Sequence, residues 1–225
     1  MDDPVVHARD IRRVYGDGAR AVVAVAGATF SVHRGKRIAI VGPSGSGKST
    51  LLHLMAGIDR PTSGDVTWPA IGRPEALRPG PVALAFQGPS LLPPLTVSEN
   101  VALPLLLEGQ DEVSALAAAV ACLDLFELGE VADKLPEEIS GGQSQRAGLA
   151  RALVGEPRLV LVDEPTGQLD RETAGRTVLA LLGAIDASGS ALVVATHDLE
   201  VAERMDSCWQ MDSGQLRTED TRCSA

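Results

Sequence analysis

Nine consecutive residues carry chemistry in their types and spacing. The run Gly42-Pro43-Ser44-Gly45-Ser46-Gly47-Lys48-Ser49-Thr50 fits the pattern GxxxxGK[ST] over its first eight positions. The glycines let backbone N–H groups turn inward onto a phosphate, and a helix beginning just after them adds a partial positive charge. Lys48 is long enough to reach β- and γ-phosphates, and the Ser49 hydroxyl is a ligand for Mg²⁺. A chance Gly/Ser-rich loop would match in the same way, but here an apolar strand precedes the run and a helix follows it. A second candidate is Leu159-Val160-Leu161-Val162-Asp163-Glu164, an apolar strand ending in two acids. Asp163 there would hold a Mg²⁺ shell and Glu164 would act as general base on a water. Alone the pair reads equally well as two solvated acids; beside a phosphate loop the catalytic reading is the better one.

The elements that must position these residues follow from hydrophobic periodicity and turn signals. Val5–Tyr15, Ala21–Val25 and Ala28–Val32 read as short strands. Arg37–Val41 is a strand running into the phosphate loop, and 50–57 a helix closed by Gly57. The stretch 67–80 is rich in Pro and Gly and shows no clear period. Pro81–Phe86 is an apolar strand. Asp111–Leu128 places Val113, Leu116, Val120 and Leu123 at helical spacing, and Ser144–Val154 is a second helix, stopped by Gly155 and Pro157. Beyond the acidic strand come a helix over Glu172–Ile185, a strand over Ala191–Ala195, and a last strand pair around Cys208–Met211 and Gln215-Leu216. Strand and helix in alternation predict a largely parallel sheet covered by helices. The helical stretch from about Ser90 to Glu156 reads as an insertion into it.

Bulk properties narrow the function classes. The chain has 225 residues, 44 % apolar and 22 % charged, enough for one α/β domain with a real core. Its formal net charge of −10 argues against nucleic-acid binding, which needs a cationic face. No run approaches the roughly 20 apolar residues needed to cross a bilayer, so no direct membrane insertion is expected. The opening MDDPVVHARD is acidic and does not resemble a secretory signal. Cys122, Cys208 and Cys223 are far apart and form no CxxC, so neither a disulfide framework nor a zinc site is expected. A reduced, cytosolic chain is the reading.

At Ile139-Ser140-Gly141-Gly142-Gln143 the sequence departs from a generic phosphate-loop ATPase and resembles the ABC signature, usually LSGGQ. The full motif set stands in that family's order: the phosphate loop, Gln87 as the Q-loop glutamine, the signature, Asp163-Glu164, Asp170 as the D-loop aspartate, and His197 in a THD switch. The resemblance covers essentially the whole chain. It implies a P-loop NTPase core of the ABC ATPase type, α/β, with an N-terminal antiparallel β subdomain and an inserted α-helical subdomain. The core would comprise 1–88 and 157–225, and the helical subdomain 89–156.

The resemblance also implies an ATP-hydrolysing subunit that works as a dimer, with ATP and Mg²⁺ held between two copies. Ser140, Gly141, Gly142 and Gln143 would meet the γ-phosphate of the ATP bound by the opposite copy. Asp170 would line the same interface. His197 would contact the γ-phosphate, and Gln87 would sense both Mg²⁺ and a separate membrane permease. Tyr15 stands where the family stacks an aromatic ring on adenine, although a packed strand aromatic is the other reading. The protein would sit peripherally on the cytoplasmic side of the inner membrane. Residues 89–101, 102–105 and 163–167 further resemble the lipoprotein-release, macrolide-export and cell-division subgroup. Three features differ from it: Gln168 stands where Asn is common, Gln143 where Glu is frequent, and 67–80 is short and lacks basic helical character. Export or extraction through the permease is the expected task, and driving a membrane signalling partner without transport is the alternative. Chromosome-type ABC ATPases are set aside, since fewer than a hundred residues separate the phosphate loop from the signature and leave no room for a long coiled coil.

Overall fold

The computed structural model describes residues 3–88 and 90–221. Nine strands and six α-helices follow one another in the described chain. β1 (Val6–Tyr15), β2 (Val22–Val32) and β3 (Arg37–Val41) precede α1 (Lys48–Met55) and β4 (Ser63–Thr67). β5 (Val82–Ala85) leads into α2 (Val97–Leu107), α3 (Glu112–Leu125) and α4 (Gly141–Leu153). β6 (Leu159–Asp163), α5 (Arg171–Ser188), β7 (Ala191–Thr196), α6 (Leu199–Ala202), β8 (Ser207–Asp212) and β9 (Gln215–Thr221) complete the order. They form two compact units, one from 1–77 with 191–225 and the other from 78–190.

The first unit holds two sheets. β1 lies between β2 and β4 in an antiparallel sheet, with Val6 opposite Val32 and His7 opposite Thr67. β3 pairs in parallel with β7 on one side and β8 on the other, while β9 is antiparallel to β8. Ile38, Ala39, Ile40 and every residue of β7 are buried. That is the near-continuous apolar run expected of strands covered on both faces.

β2 is a single 11-residue strand where the sequence reading had two short ones. The interruption at Gly27 is a bulge. Ile11 pairs with Ala28 and Arg12 with Ala26, so Gly27 has no opposite residue, and its φ of 83° suits the kink. In this case a glycine bent the strand without ending it. The unreadable stretch 67–80 proves to be anchored by one aromatic. Trp68 is buried, and its indole Nε1 donates to the Met55 carbonyl at 2.8 Å, pinning the segment to the end of α1. Of the cysteines, Cys122 is a buried free thiol and Cys208 is buried. Cys223 lies outside the described residues.

The second unit contains the parallel pair β5–β6, with Leu84 opposite Leu161, and four long helices. The helical segment 89–156 falls within it. α2 begins with a capping box: the Thr96 hydroxyl accepts from the Glu99 N–H, and the Glu99 carboxylate accepts from the Thr96 N–H. It was not singled out from sequence because Pro104 interrupts the pattern. For α3 the expected apolar face needs correction. Val113 is 79 % exposed and Val120 39 % exposed, whereas Ala115, Ala119, Cys122 and Leu123 are buried. Small residues define the inner face because α3 packs closely on α2 and α4, close enough for the Cys122 thiol to donate to the Ala150 carbonyl at 3.3 Å. The two valines are therefore turned outward despite their hydrophobicity, while Leu123 of the expected face is buried.

This packing sets a test. Ala119→Leu should lower stability by about 1–3 kcal/mol through overpacking, while Val113→Ser should stay within about 0.5 kcal/mol of the parent. Urea unfolding of the two variants checks the assignment, and the reverse order would restore the valine face as the buried one.

Candidate functional site

The phosphate loop occupies the turn from β3 into α1. Gly47 is the N-cap of α1, with φ of 108°, and Gly45 has φ of 77°. A Cβ on Gly47 would collide with the Ala24 carbonyl, and one on Gly42 would collide with the Met211 carbonyl. Glycine is thus required at both positions, first by neighbouring backbone and only then by any ligand. Lys48 is 6 % exposed, and its Nζ donates to the carbonyls of Gly42 at 2.8 Å and Pro43 at 3.1 Å. The ammonium is held inside the curl of the loop. Ser46 is buried as well. Its carbonyl accepts from the Gly214 N–H at 2.9 Å, but its hydroxyl is a buried polar atom with no partner. An orphaned hydroxyl inside a loop of glycines and one lysine fits a polyoxygen anion. Ser49 and Thr50, in the first turn of α1, are half-buried, while Pro43, Ser44 and Gly45 are exposed.

His197 also belongs to this unit. It is exposed and follows β7 directly; the Asp198 side chain beside it caps α6 by accepting the Glu200 N–H at 2.9 Å. Tyr15 ends β1, 39 % exposed. Its hydroxyl donates to Asp59 at 2.6 Å, and the Arg13 guanidinium lies 4.4 Å from its ring centre. Arg13 also donates to Asp59 at 2.8 Å. The ring is held upright at the surface by a charge pair and is not packed into the core.

In the second unit the candidates lie at the ends of β5 and β6 and at the starts of α4 and α5. Gln87 is exposed, two residues beyond β5. Asp163 is the last residue of β6 and Glu164 the first beyond it, both buried. Glu164 has φ of +50°, a left-handed conformation that a non-glycine residue adopts only where its surroundings impose it. Asp170 is the N-cap of α5 and accepts from the N–H groups of Glu172 and Thr173 at 3.1 and 3.0 Å. Hydrogen bonds from Thr173, ahead of the other contributions, hold its carboxyl below the usual carboxylate range.

Ser140 is the N-cap of α4 in a reciprocal capping box. Its hydroxyl accepts from the Gln143 N–H at 3.2 Å, and its own N–H donates to the Gln143 side chain at 2.9 Å. Gln143 is therefore committed to the cap, while the hydroxyl proton of Ser140 remains available to an anion. The helix starts three residues earlier than periodicity indicated, because the cap overrides the two glycines. Gly141 and Gly142 lie against the loop after β6: a Cβ on Gly141 would stand 2.7 Å from the Gln168 side chain, and one on Gly142 3.0 Å from Leu169.

Two residues of α4 without any motif role turn out to be tied to candidate loops. The Gln145 carboxamide reaches the loop of Glu164. The Arg151 guanidinium donates to the Ser90 carbonyl at 2.8 Å and to its hydroxyl at 2.6 Å, three residues beyond Gln87. Burial pushes the Arg151 pKa down. A polar residue inside an amphipathic helix carries no sequence signal for either contact.

A left-handed glycine cradle with an orphaned hydroxyl and a buried lysine, a capped glycine pair and an acidic strand end are the marks of an ATP-binding cassette. Comparison with known proteins agrees. The family model described as "ABC transporter" matches residues 25–167. Over 223 residues the chain is 40 % identical to the lipoprotein-releasing system ATP-binding protein LolD of Legionella pneumophila (strain Paris), covering 96 % of this chain and 98 % of that one. It is 40 % identical over 224 residues to the uncharacterized ABC transporter ATP-binding protein YbbA of Escherichia coli (strain K12), covering 96 % and 97 %. Among solved structures, the ATP-binding cassette MJ0796, as a dimer in a post-hydrolysis state with ADP and Pi, superimposes with a TM-score of 0.89. Identity there is 31 %, over 98 % of this chain and 100 % of that one. The chain belongs to the ABC transporter family, as an ATP-binding and ATP-hydrolysing subunit.

The Tyr15–Asp59–Arg13 cluster has a measurable pH signature. Burial opposes ionisation of Asp59, but hydrogen bonds from Tyr15, the Arg60 backbone and Arg13 outweigh it and hold the carboxyl below its usual range. A carboxylate of this kind adds stability above the unfolded value near 4, and loses it as pH falls through the lower folded value. Asp59→Asn should therefore melt below the parent at pH 7, with the gap closing below about pH 4. A gap that persists unchanged at pH 3 would show that the charge contributes nothing.

Proposed function

We propose that this chain powers export or extraction of a substrate through a separate membrane permease, from the cytoplasmic side of the inner membrane, as one half of an ATP-sandwich dimer. The observation that carries the reading is the phosphate loop, in which buried Lys48 and the orphaned Ser46 hydroxyl have no polyanion within the chain to serve. The full-length similarity to lipoprotein-releasing ATP-binding proteins supports the direction, and the dimeric form of the MJ0796 cassette supports the assembly. Among the described residues no helix is long and apolar enough to cross a membrane, so the transmembrane path belongs to a partner.

In this reading Gly42 to Thr50 wrap the phosphates. The Lys48 ammonium exchanges its two carbonyl acceptors for β- and γ-phosphate oxygens, and Tyr15 offers a ring to adenine. Ser49, Asp163 and Gln87 each carry an oxygen donor of the kind Mg²⁺ takes and would hold that ion, which would neutralise charge on the phosphates. Glu164 takes a proton from the attacking water and His197 orients the γ-phosphate. From the other copy, Ser140, Gly141, Gly142 and Gln143 present a hydroxyl, backbone N–H groups and a helix N-terminus to the same γ-phosphate, with Asp170 at the seam. Gln87, in the loop after β5, carries the closing motion toward the permease.

General-base assistance is typically worth about 10² to 10⁴ in rate, so Glu164→Gln should hydrolyse ATP at least a hundredfold more slowly. Nucleotide affinity should be kept, and an ATP-bound dimer should accumulate on size exclusion. Wild-type turnover in that variant would remove Glu164 from the mechanism.

The trans arrangement is tested by complementation. Lys48→Ala and Ser140→Arg, each in the Glu164→Gln background, should fail to dimerise with ATP when alone. A covalently linked pair of the two contains one intact composite site and should close on ATP, as read by light scattering or cross-linking. If each site were built within one chain, the linked pair would hold no intact site and would stay open.

A further inference from the structure

Gln145 lies in the second turn of α4, half-buried and outside every motif of the family reading. Its carboxamide bridges two points of the loop that follows β6. Nε2 donates to the Glu164 carbonyl at 2.7 Å, and Oε1 accepts from the Gln168 N–H at 3.1 Å. One contact requires a donor and the other an acceptor, which fixes the orientation of the amide and explains the side chain, since a carboxamide supplies both without charge.

The residue held in this way is one of five described non-glycine residues with a left-handed backbone, and of these the one that follows a buried strand as a candidate base. Glu164 sits at φ +50° and is 6 % exposed, so the direction of its carboxylate follows from a peptide conformation imposed by its surroundings. The Glu164 carbonyl also accepts from Gly167 N–H at 3.3 Å, a longer contact than the one from Gln145. Gln168 and Leu169 lie against Gly141 and Gly142, so the start of α4 and the loop after β6 meet at three places: the two glycines and Gln145. Any rotation or shift of α4 must be felt at the Glu164 peptide.

We propose that Gln145 is a positioning residue for ATP hydrolysis. It holds the Glu164 backbone so that the carboxylate is aimed at the attacking water, and makes that aim depend on the position of α4. This inference rests on the reading of Glu164 as general base. Because Ser140 at the start of the same helix faces the other copy's nucleotide, Gln145 links occupancy of one composite site to alignment of the base in the other. The donor bond to the Glu164 carbonyl is the one that matters; the acceptor bond to Gln168 only holds the loop.

Two substitutions in the full-length protein separate the bonds. Gln145→Met is of similar shape and removes both, whereas Gln145→Lys keeps a donor for the Glu164 carbonyl and removes the acceptor. Gln145→Met should lower kcat about ten- to a hundredfold, the usual effect of a misaimed catalytic group. KM for ATP should stay within about twofold, since phosphate contacts are untouched. The ATP-induced dimer formed in the Glu164→Gln background should persist in Gln145→Met. Gln145→Lys should recover kcat to within about threefold of the parent. A parent-like kcat in Gln145→Met overturns the proposal. So does equal loss in both variants, a rise in KM matching the fall in kcat, or loss of the dimer together with a lowered melting temperature. Glu164→Gln measured alongside keeps the two ideas apart: if it turns over normally the general-base reading fails, and if it is inactive while Gln145→Met is not, only the positioning role fails.

Discussion

A buried ammonium whose hydrogen bonds end on two backbone carbonyls sets the terms for the phosphate loop. Lys48 can sit at 6 % exposure only because the loop curls its Gly42 and Pro43 carbonyls around it. Burying a cation in this way is costly unless it is well partnered, and two neutral acceptors are modest compensation. The curl in turn demands glycine where Met211 and Ala24 carbonyls press on the loop from β8 and β2. The Met211 carbonyl is fixed by the pairing of β8 with β3 and β9, and the Ala24 carbonyl by the antiparallel pairing of β2 with β1. A phosphate group would relieve the tension, since it offers Lys48 a full negative charge and Ser46 the acceptor its hydroxyl lacks.

Candidate groups recur at one kind of place. The phosphate loop follows β3, Gln87 follows β5, Asp163 and Glu164 end β6, and His197 follows β7. Each of these strands is parallel to a neighbour, and in open α/β sheets ligands bind beyond the carboxyl ends of such strands. The interiors of β3, β6 and β7 are apolar and buried, which fixes their register; the first residue past the end escapes that constraint and is free to be polar. Chemistry therefore collects where the ladder stops.

Within 78–190, α4 acts as a rigid bar. Its N-terminus is locked by the Ser140–Gln143 capping box, its middle is joined to the Glu164 loop through Gln145, and its last turn is joined to the segment after Gln87 through Arg151. Arg146 adds a short bond to the Phe126 carbonyl at the end of α3. Small inward residues, Ala115 and Ala119 on α3 with Ala147 and Ala150 on α4, bring the helices close enough that a displacement cannot be absorbed by side-chain rearrangement.

The sequence by itself determined the chemistry of the phosphate loop, the acidic strand end and the glycine pair at 141–142, because each needs particular residue types at fixed local spacing. It also determined the parallel strands, whose unbroken apolar runs admit no other environment. Tertiary structure alone decided the rest. Ala21–Val25 and Ala28–Val32 read as two strands, and only pairing across to β1 joined them into one with a bulge at Gly27. Val113 and Val120 read as a core face, and only the close approach of three helices turned Ala115, Ala119 and Cys122 inward instead. The contacts of Gln145, Arg151 and Tyr15 were invisible because a hydrogen bond between residues 19, 61 or 44 positions apart leaves no periodicity to read. Local rules are written in spacing along the chain; long-range polar contacts depend on where independently folded elements happen to meet.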